Sequence, residues 1–218
     1  MAVTDIGILA AAESPPWRPR AVPAPLGVDL AAAERAARAF LVALGCRVDS
    51  EATDATPGRM ARAYAEMLEA RPFDLTTFPN DEAYDELVLA RSIPVQSLCE
   101  HHMLPFIGVA HVGYLPGERI VGLSKLARVV EMFSRRPQVQ ERLTKQVADW
   151  LQETLEPRGV GVVIDAEHSC MTMRGVRSAG VSTVTSTLLG VFRDDPRSRA
   201  EFLALTTGPP SHGRRRHG

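Results

Sequence analysis

Cysteine and histidine occur close together at two places in the chain, in Cys99-Glu100-His101-His102 and in His168-Ser169-Cys170. Thiolate sulfur and imidazole nitrogen are the donors that zinc prefers, whereas magnesium and calcium prefer oxygen. The Cys-x-x-His spacing lets Cys99 and His102 reach one ion, and Cys170 can supply a third ligand. Three protein ligands leave one tetrahedral position open for water, which is typical of a catalytic rather than a structural zinc site.

Two alternatives compete with a metal site. A single cysteine or histidine is commonly an ordinary packed or solvated residue. Cys99 and Cys170 could also form a disulfide, but the chain has three cysteines, an odd number, and its N-terminus does not resemble a secretory signal. The repeated pairing of cysteine with histidine favours the metal.

Two further histidines, His101 and His168, lie beside the predicted ligands. An imidazole titrates near neutral pH, so either ring could transfer protons at such a site. Each could equally be a solvated residue or one that orients a ligand.

A set of polar residues follows the first cluster. Ser124, Lys125 and Arg128 fall within about one helical turn, where free backbone N–H groups and basic side chains favour an anion such as phosphate. By themselves they are typical of a solvated helix face. A phosphate-binding loop is excluded, because Leu123 stands where that motif requires lysine.

Composition places the chain among soluble globular proteins. It has 218 residues, of which 45% are hydrophobic and 23% charged, with a formal net charge of −1. This balance gives no indication of nucleic-acid binding, and no apolar run is long enough to span a membrane. We expect a cytoplasmic protein in a reducing compartment.

The predicted elements alternate between helical and extended segments. Asp29 is placed to cap a helix whose apolar face includes Phe40 and Leu44, with Gly45 at its end. Thr56 is expected to cap a second helix, with Pro57 at its first helical position. The remaining predictions are strands at 86–95, 107–114 and 160–164, a hairpin partner at 181–189, a helix capped by Ser124, a helix opened by Pro137, and a helix at 196–205. The first Cys/His cluster therefore lies between two strands, and the order predicts α+β with an antiparallel sheet.

Four stretches, taken together, closely resemble GTP cyclohydrolase I. They are Cys99-Glu100-His101-His102, the segment 122–128, the segment 136–144, and His168-Ser169-Cys170-Met171 with Arg174-Gly175-Val176. The resemblance runs in order over about residues 29–205. It implies the tunnelling fold, an antiparallel sheet with helices on one face and an N-terminal helical segment. It also implies conversion of GTP and water to 7,8-dihydroneopterin 3'-triphosphate and formate by a homodecamer of two pentamers with active sites at subunit interfaces.

The resemblance also implies roles for individual residues. Cys99, His102 and Cys170 match the ligands of Zn²⁺, and His101 and His168 match the acid-base histidines that serve the opening of the guanine imidazole ring.

The substrate-binding positions match as well. Glu141, with Gln140 beside it, matches the residue that accepts hydrogen bonds from the guanine edge, where N1–H and N2–H both donate. The triphosphate and ribose contacts match Ser124, Lys125, Arg128 and Arg174.

The resulting domain assignment has three parts. A mobile Ala/Pro-rich arm at 1–27 precedes the catalytic domain at 28–206, and a basic flexible tail occupies 207–218. Within the domain, 28–72 are N-terminal helices and 73–206 the tunnelling fold. Two competing hypotheses are a structural zinc protein or nucleotide-sensing module, and a tunnelling-fold relative that acts on another pterin or purine.

Overall fold

The computed structural model describes residues 27–207 of the chain. The predicted arm and tail therefore lie outside the described residues, except for Gly27 and Thr207. The helices are α1 (Leu30–Ala43), α2 (Thr56–Leu68), α3 (Leu123–Ser134), α4 (Gln140–Leu155), α5 (Ser169–Thr172), α6 (Val191–Asp194) and α7 (Pro196–Thr207). The strands are β1 (Thr77–Pro79), β2 (Val88–Cys99), β3 (Pro105–Leu115), β4 (Arg119–Val121), β5 (Pro137–Gln138), β6 (Gly159–His168) and β7 (Ser182–Gly190).

The first two helices pack against each other. Asp29 caps α1 as predicted, because its carboxylate accepts a hydrogen bond from the Ala32 N–H at 2.9 Å. Beyond the end of α1, Gly45 adopts a left-handed φ of 79° that suits glycine. The expected apolar face of α1 is only partly buried in the single chain, since Phe40 and Leu44 are 55% and 64% exposed.

The main sheet has the order β5-β2-β3-β6-β7, and its four long strands pair antiparallel. This confirms the predicted α+β class with an antiparallel sheet. The short β5 adds to the edge of β2 in parallel orientation, and β1 and β4 form a separate two-stranded sheet. The observed β2 and β6 extend beyond the predicted strands, so that each reaches one of the two Cys/His clusters.

Helices α3 and α4 cover one face of the sheet and form the main core. Leu126 and Val129 of α3 and Leu143, Val147 and Leu151 of α4 are fully buried against the strands. Burial of these helical stripes is the main force that holds the two helices on the sheet.

Helices also contact the opposite face, which differs from the prediction of helices on one face only. Phe192 of α6 and Phe202 of α7 pack with Val163 in a second, smaller apolar cluster. The Phe202 ring lies over Gly161, where an added Cβ would meet the ring atoms at 2.7 Å. A glycine in β6 therefore makes the space that lets α7 pack on the sheet.

Three predicted helix starts are wrong in detail. Helix α2 begins at Thr56 itself, after Ala55, so Thr56 does not cap it. Helix α3 begins at Leu123 after Gly122, so Ser124 lies within its first turn and does not cap it. Pro137 lies in β5, because residues 137–138 pair with β2, and α4 begins only at Gln140. Backbone pairing with the sheet has overridden the local preference of proline for the start of a helix.

Among the helices of residues 27–207, none combines the length and the apolar character that crossing a bilayer requires.

Candidate metal centre and active site

The loop between β2 and β3 carries the first Cys/His cluster, as predicted. Cys99 is the last residue of β2, and its N–H donates to the Leu104 carbonyl at 2.8 Å. The Met103 N–H donates to the Cys99 carbonyl at 2.7 Å, and Met103 itself has a left-handed φ of 53°. This tight turn places His101 and His102 at the exposed tip of the hairpin.

The sheet brings the second cluster to the same place. Strand β6 pairs with β3 so that His168 lies opposite Phe106, and α5 follows at once with Ser169 and Cys170. The Ser169 hydroxyl donates to the Pro105 carbonyl at 2.7 Å, which attaches the start of α5 to β3.

The ligand atoms of Cys99, His102 and Cys170 all lie within 4.8 Å of one another. The Cys99 Sγ is 3.9 Å from His102 Nδ1 and 4.0 Å from Cys170 Sγ. Donors at about 2.0–2.3 Å from one tetrahedral ion lie about 3.3–3.8 Å apart, so a small closure of the group suffices to hold an ion. The sequence prediction of three converging ligands is confirmed as a group that could bind a metal.

The electrostatics of the two sulfurs also fit a cation. Burial raises the pKa of the Cys170 thiol, and the adjacent Cys99 raises it further. Two neighbouring thiolates are therefore costly unless a positive ion compensates them. The third cysteine, Cys46, is exposed and is not part of this group.

His168 is held on two sides by the protein. Its ring stacks on Phe106 with centroids 4.5 Å apart and an interplanar angle of 10°, and its Nε2 lies 2.8 Å from Gln140 Oε1. Burial lowers the pKa of His168, although the Glu141 carboxylate acts in the opposite direction. The neutral imidazole is therefore favoured.

His101 lies in the exposed turn. Its Nδ1 is 3.9 Å from Cys99 Sγ, the same distance as that of His102, and the two histidine rings stand nearly perpendicular at 6.3 Å. The structure thus places His101 next to the predicted ligands.

Comparison with known proteins agrees with these observations. A sequence model of the family described as GTP cyclohydrolase I matches residues 33–207. The chain belongs to the GTP cyclohydrolase I family.

The chain is 53% identical over 190 residues to GTP cyclohydrolase 1 of Thermobifida fusca, with 85% of this chain and 92% of the relative covered. It is 50% identical over 183 residues to GTP cyclohydrolase 1 of Aquifex aeolicus, with 84% and 100% covered. Among solved structures, an archaeosine synthase QueF-Like in its apo form aligns with a TM-score of 0.37 and 17% identity, over 48% of this chain and 93% of that chain.

The GTP cyclohydrolase I resemblance also pointed to residues on α3, α4 and the loop after α5. Glu141 lies exposed in the first turn of α4, directly after Gln140, and Arg174 is exposed after α5. At the start of α3, Ser124 and Arg128 are exposed, and Arg128 pairs with Glu131 at 3.0 Å. Lys125 lies over the Phe73 ring at 5.9 Å. Neither the Lys125 contact nor the Arg128 contact reaches the Cys99–His102–Cys170 group.

Gln140 differs from the other predicted substrate-binding residues, because its side chain is buried at 2% exposure and makes its hydrogen bonds within the protein. Its partners Thr183 and Thr185 lie on β7, more than 40 positions away. No local pattern in the sequence could have indicated these contacts.

Two further residues stabilise the Cys/His loop and were not predicted from the sequence. Arg142 of α4 forms an ion pair with Glu100 and also donates to the Gln138 side-chain oxygen at 2.8 Å. The hydrogen bond from Arg142 lowers the pKa of Glu100. From α2, the Tyr64 hydroxyl donates to the Met103 carbonyl at 3.1 Å. In the sequence, the only signal for the contact of Arg142 was the glutamate within the Cys-Glu-His-His run. The sequence carried no signal for the contact of Tyr64.

Proposed function

We propose that Cys99, His102 and Cys170 hold zinc, and that with His101 and His168 they form the catalytic centre of this GTP cyclohydrolase I family member. The enzyme converts GTP and water to 7,8-dihydroneopterin 3'-triphosphate and formate, the first step of tetrahydrofolate or other pterin biosynthesis. The observation that carries the proposal is the convergence of two sulfurs and one imidazole nitrogen within 4.8 Å.

The donor set supports zinc, because sulfur and nitrogen ligands in this number are typical of a catalytic zinc site. When bound, zinc supplies Lewis-acid chemistry and lowers the pKa of a coordinated water. Magnesium and calcium would require oxygen ligands, which this group does not offer.

His168 and His101 serve the proton transfers. Opening the guanine imidazole ring at C8 requires a proton to leave the attacking water and a proton to reach the purine nitrogen as its bond to C8 breaks. The burial of His168 favours a neutral ring that can take up a proton. His101 lies exposed in the turn, next to the predicted ligand Cys99.

Glu141 and the basic residues bind the two ends of GTP. An ionised carboxylate at Glu141 only accepts hydrogen bonds, and guanine offers two donors, N1–H and N2–H, on one edge. Ser124, Lys125 and Arg128 at the start of α3, together with Arg174, carry the donors and positive charge that a triphosphate requires.

We further propose the tunnelling fold for residues 73–206, with the helical segment 28–72 before it.

Assembly into a homodecamer of two pentamers is supported by surfaces that the single chain leaves open. Strand β7 is an edge strand with Val184 62% exposed, and α1 exposes Phe40 and Leu44. A cytoplasmic location is supported by the three free cysteines.

The test is a formate assay on the purified, zinc-loaded protein with GTP. We expect one formate per GTP consumed and the appearance of a pterin chromophore, and we expect a chelator to remove activity that added zinc restores. Binding of GTP without formate release would contradict the proposal and favour a nucleotide-sensing module.

A further inference from the structure

The side chain of Gln140 links His168 to the interior of the protein. On one side its Oε1 lies 2.8 Å from His168 Nε2. On the other side its Nε2 lies 3.0 Å from the Ile164 carbonyl oxygen, 2.7 Å from the Thr183 carbonyl oxygen and 3.1 Å from Thr185 Oγ1. The amide is therefore enclosed by protein groups at both ends.

These partners fix the orientation of the amide. The carbonyl oxygens of Ile164 and Thr183 only accept hydrogen bonds, so the NH₂ group of Gln140 must face them. The reversed orientation would place the amide oxygen against two carbonyl oxygens in the interior with no proton between them, which is strongly unfavourable. Oε1 therefore faces His168.

A second layer of hydrogen bonds supports the same arrangement. Thr144 Oγ1 donates to the Gln140 carbonyl oxygen at 2.8 Å and lies 2.6 Å from Thr185 Oγ1. Because the Thr144 hydroxyl donates to the Gln140 carbonyl oxygen, the Thr185 hydroxyl must be the donor in its hydrogen bond with Thr144 Oγ1. The Thr185 oxygen is then free to accept from Gln140, so the network has one consistent direction.

The direction of these hydrogen bonds determines which ring nitrogen of His168 carries the proton. An amide oxygen cannot donate, so the hydrogen bond between Gln140 and His168 requires a proton on His168 Nε2. In a neutral imidazole the other nitrogen, Nδ1, then carries the lone pair. Stacking on Phe106 fixes the plane of the ring and hence the direction in which Nδ1 points.

We infer that Gln140 is a positioning residue that holds the His168 ring, stacked on Phe106, with its Nε2–H directed at Gln140 and its Nδ1 lone pair directed away from it. The inference rests on the proposed function of His168 as an acid-base group. In this role Gln140 acts through the histidine.

The test is the kinetics of Gln140→Leu, which has a similar volume but no acceptor for His168. We expect kcat to fall about 10²-fold, the usual share of one general acid-base group, with KM for GTP changed less than about threefold and zinc content equal to the parent's.

The matched control is Gln152→Leu. Gln152 lies on the same helix, is half-buried and donates one hydrogen bond to the Pro157 carbonyl at 3.1 Å, remote from His168. Its substitution should leave kcat and KM at parent values. A Gln140→Leu enzyme with parent kcat, or one whose loss of kcat follows an equal loss of zinc, would overturn the inference.

A second measurement does not depend on the folding of a Gln140 variant. In ¹⁵N-histidine-labelled, zinc-loaded parent protein, the His168 resonances can be assigned by comparison with His168→Asn. We expect a protonated Nε2 and an unprotonated Nδ1 at neutral pH, and the opposite tautomer would overturn the inference. If the parent releases no formate from GTP, the proposed function fails, whereas the tautomer still tests the role of Gln140.

Discussion

The Sγ of Cys170 lies 4.0 Å from the Sγ of Cys99, although 71 positions separate the two residues. Antiparallel pairing of β2 with β3 and of β3 with β6 brings them together, because β2 ends at Cys99 and β6 ends two residues before Cys170. The register of the sheet, and not the loop alone, therefore builds the metal-binding group.

We predict that Cys170→Ser loses both zinc and turnover. A serine hydroxyl is a much poorer zinc ligand than a thiolate, so zinc affinity should fall by about 10²-fold or more. Metal content by atomic spectroscopy and formate release from GTP measure the two effects. The control is Cys46→Ser, which changes an exposed cysteine outside the group and should keep both. Full activity in a zinc-free Cys170→Ser protein would contradict a catalytic zinc.

The contact between Arg142 and Glu100 leads to a second prediction. Arg142 attaches the residue next to Cys99 to α4 and also contacts Gln138. Arg142→Gln should lower zinc affinity about tenfold, as is usual for residues that orient metal ligands, with little loss of stability because the pair is partly exposed. Competition with a zinc-binding dye measures the affinity.

The control for Arg142 is Lys145→Gln on the same helix. Lys145 forms an exposed ion pair with Asp149 at 2.6 Å and has no described contact with the Cys/His loop. Its substitution should not change zinc affinity. Equal affinities for all three proteins would show that the Arg142 contact does not support the site.

The sequence was sufficient for features that depend on neighbouring residues. The Cys-x-x-His spacing indicated two ligands, and the strand patterns on either side placed Cys99 and His102 between paired strands. The cap at Asp29 was predicted because a helix start is encoded within about four residues.

Features set by distant contacts could not be predicted. The side chain of Gln140 is buried beside His168 by partners on β6 and β7 that no local pattern indicates. Pro137 has the local signature of a helix start, yet pairing with β2 keeps it extended. The packing of α7 on the second face depends on two positions about 40 residues apart, Gly161 and Phe202. Tertiary contacts outweigh local preference at each of these positions.

The contact between Gly161 and Phe202 gives a third prediction, on stability. A methyl group at position 161 would lie 2.7 Å from ring atoms of Phe202, which is fully buried. Gly161→Ala should therefore lower the free energy of unfolding by about 1–3 kcal/mol, the usual cost of overpacking. The double variant Gly161→Ala with Phe202→Leu should be destabilised by less than the sum of the two single variants, because the smaller side chain relieves the clash. Urea unfolding measures all four proteins, and strict additivity would contradict the proposed clash.

His111 provides a fourth prediction, on the pH dependence of stability. This residue of β3 is 8% exposed, and its Nδ1 accepts a hydrogen bond from the Ser92 N–H at 3.4 Å at the irregularity in β2. Burial lowers the pKa of His111, and the positive charge of Arg91 lowers it further, whereas Asp165 opposes them. The unfolded chain therefore binds a proton at His111 more readily than the folded chain.

The direction in which stability changes with pH follows from this difference in proton binding. Above the unfolded pKa of about 6.5 the histidine is neutral in both states, and its contribution to stability is fully present. As the pH falls below that value, the unfolded state gains the proton first and stability is lost. In His111→Asn, the amide oxygen can replace Nδ1 as acceptor without titrating. We expect the urea midpoint of the parent to fall more than that of His111→Asn between about pH 7 and about pH 5. Parallel pH profiles would show that His111 does not titrate differently on folding.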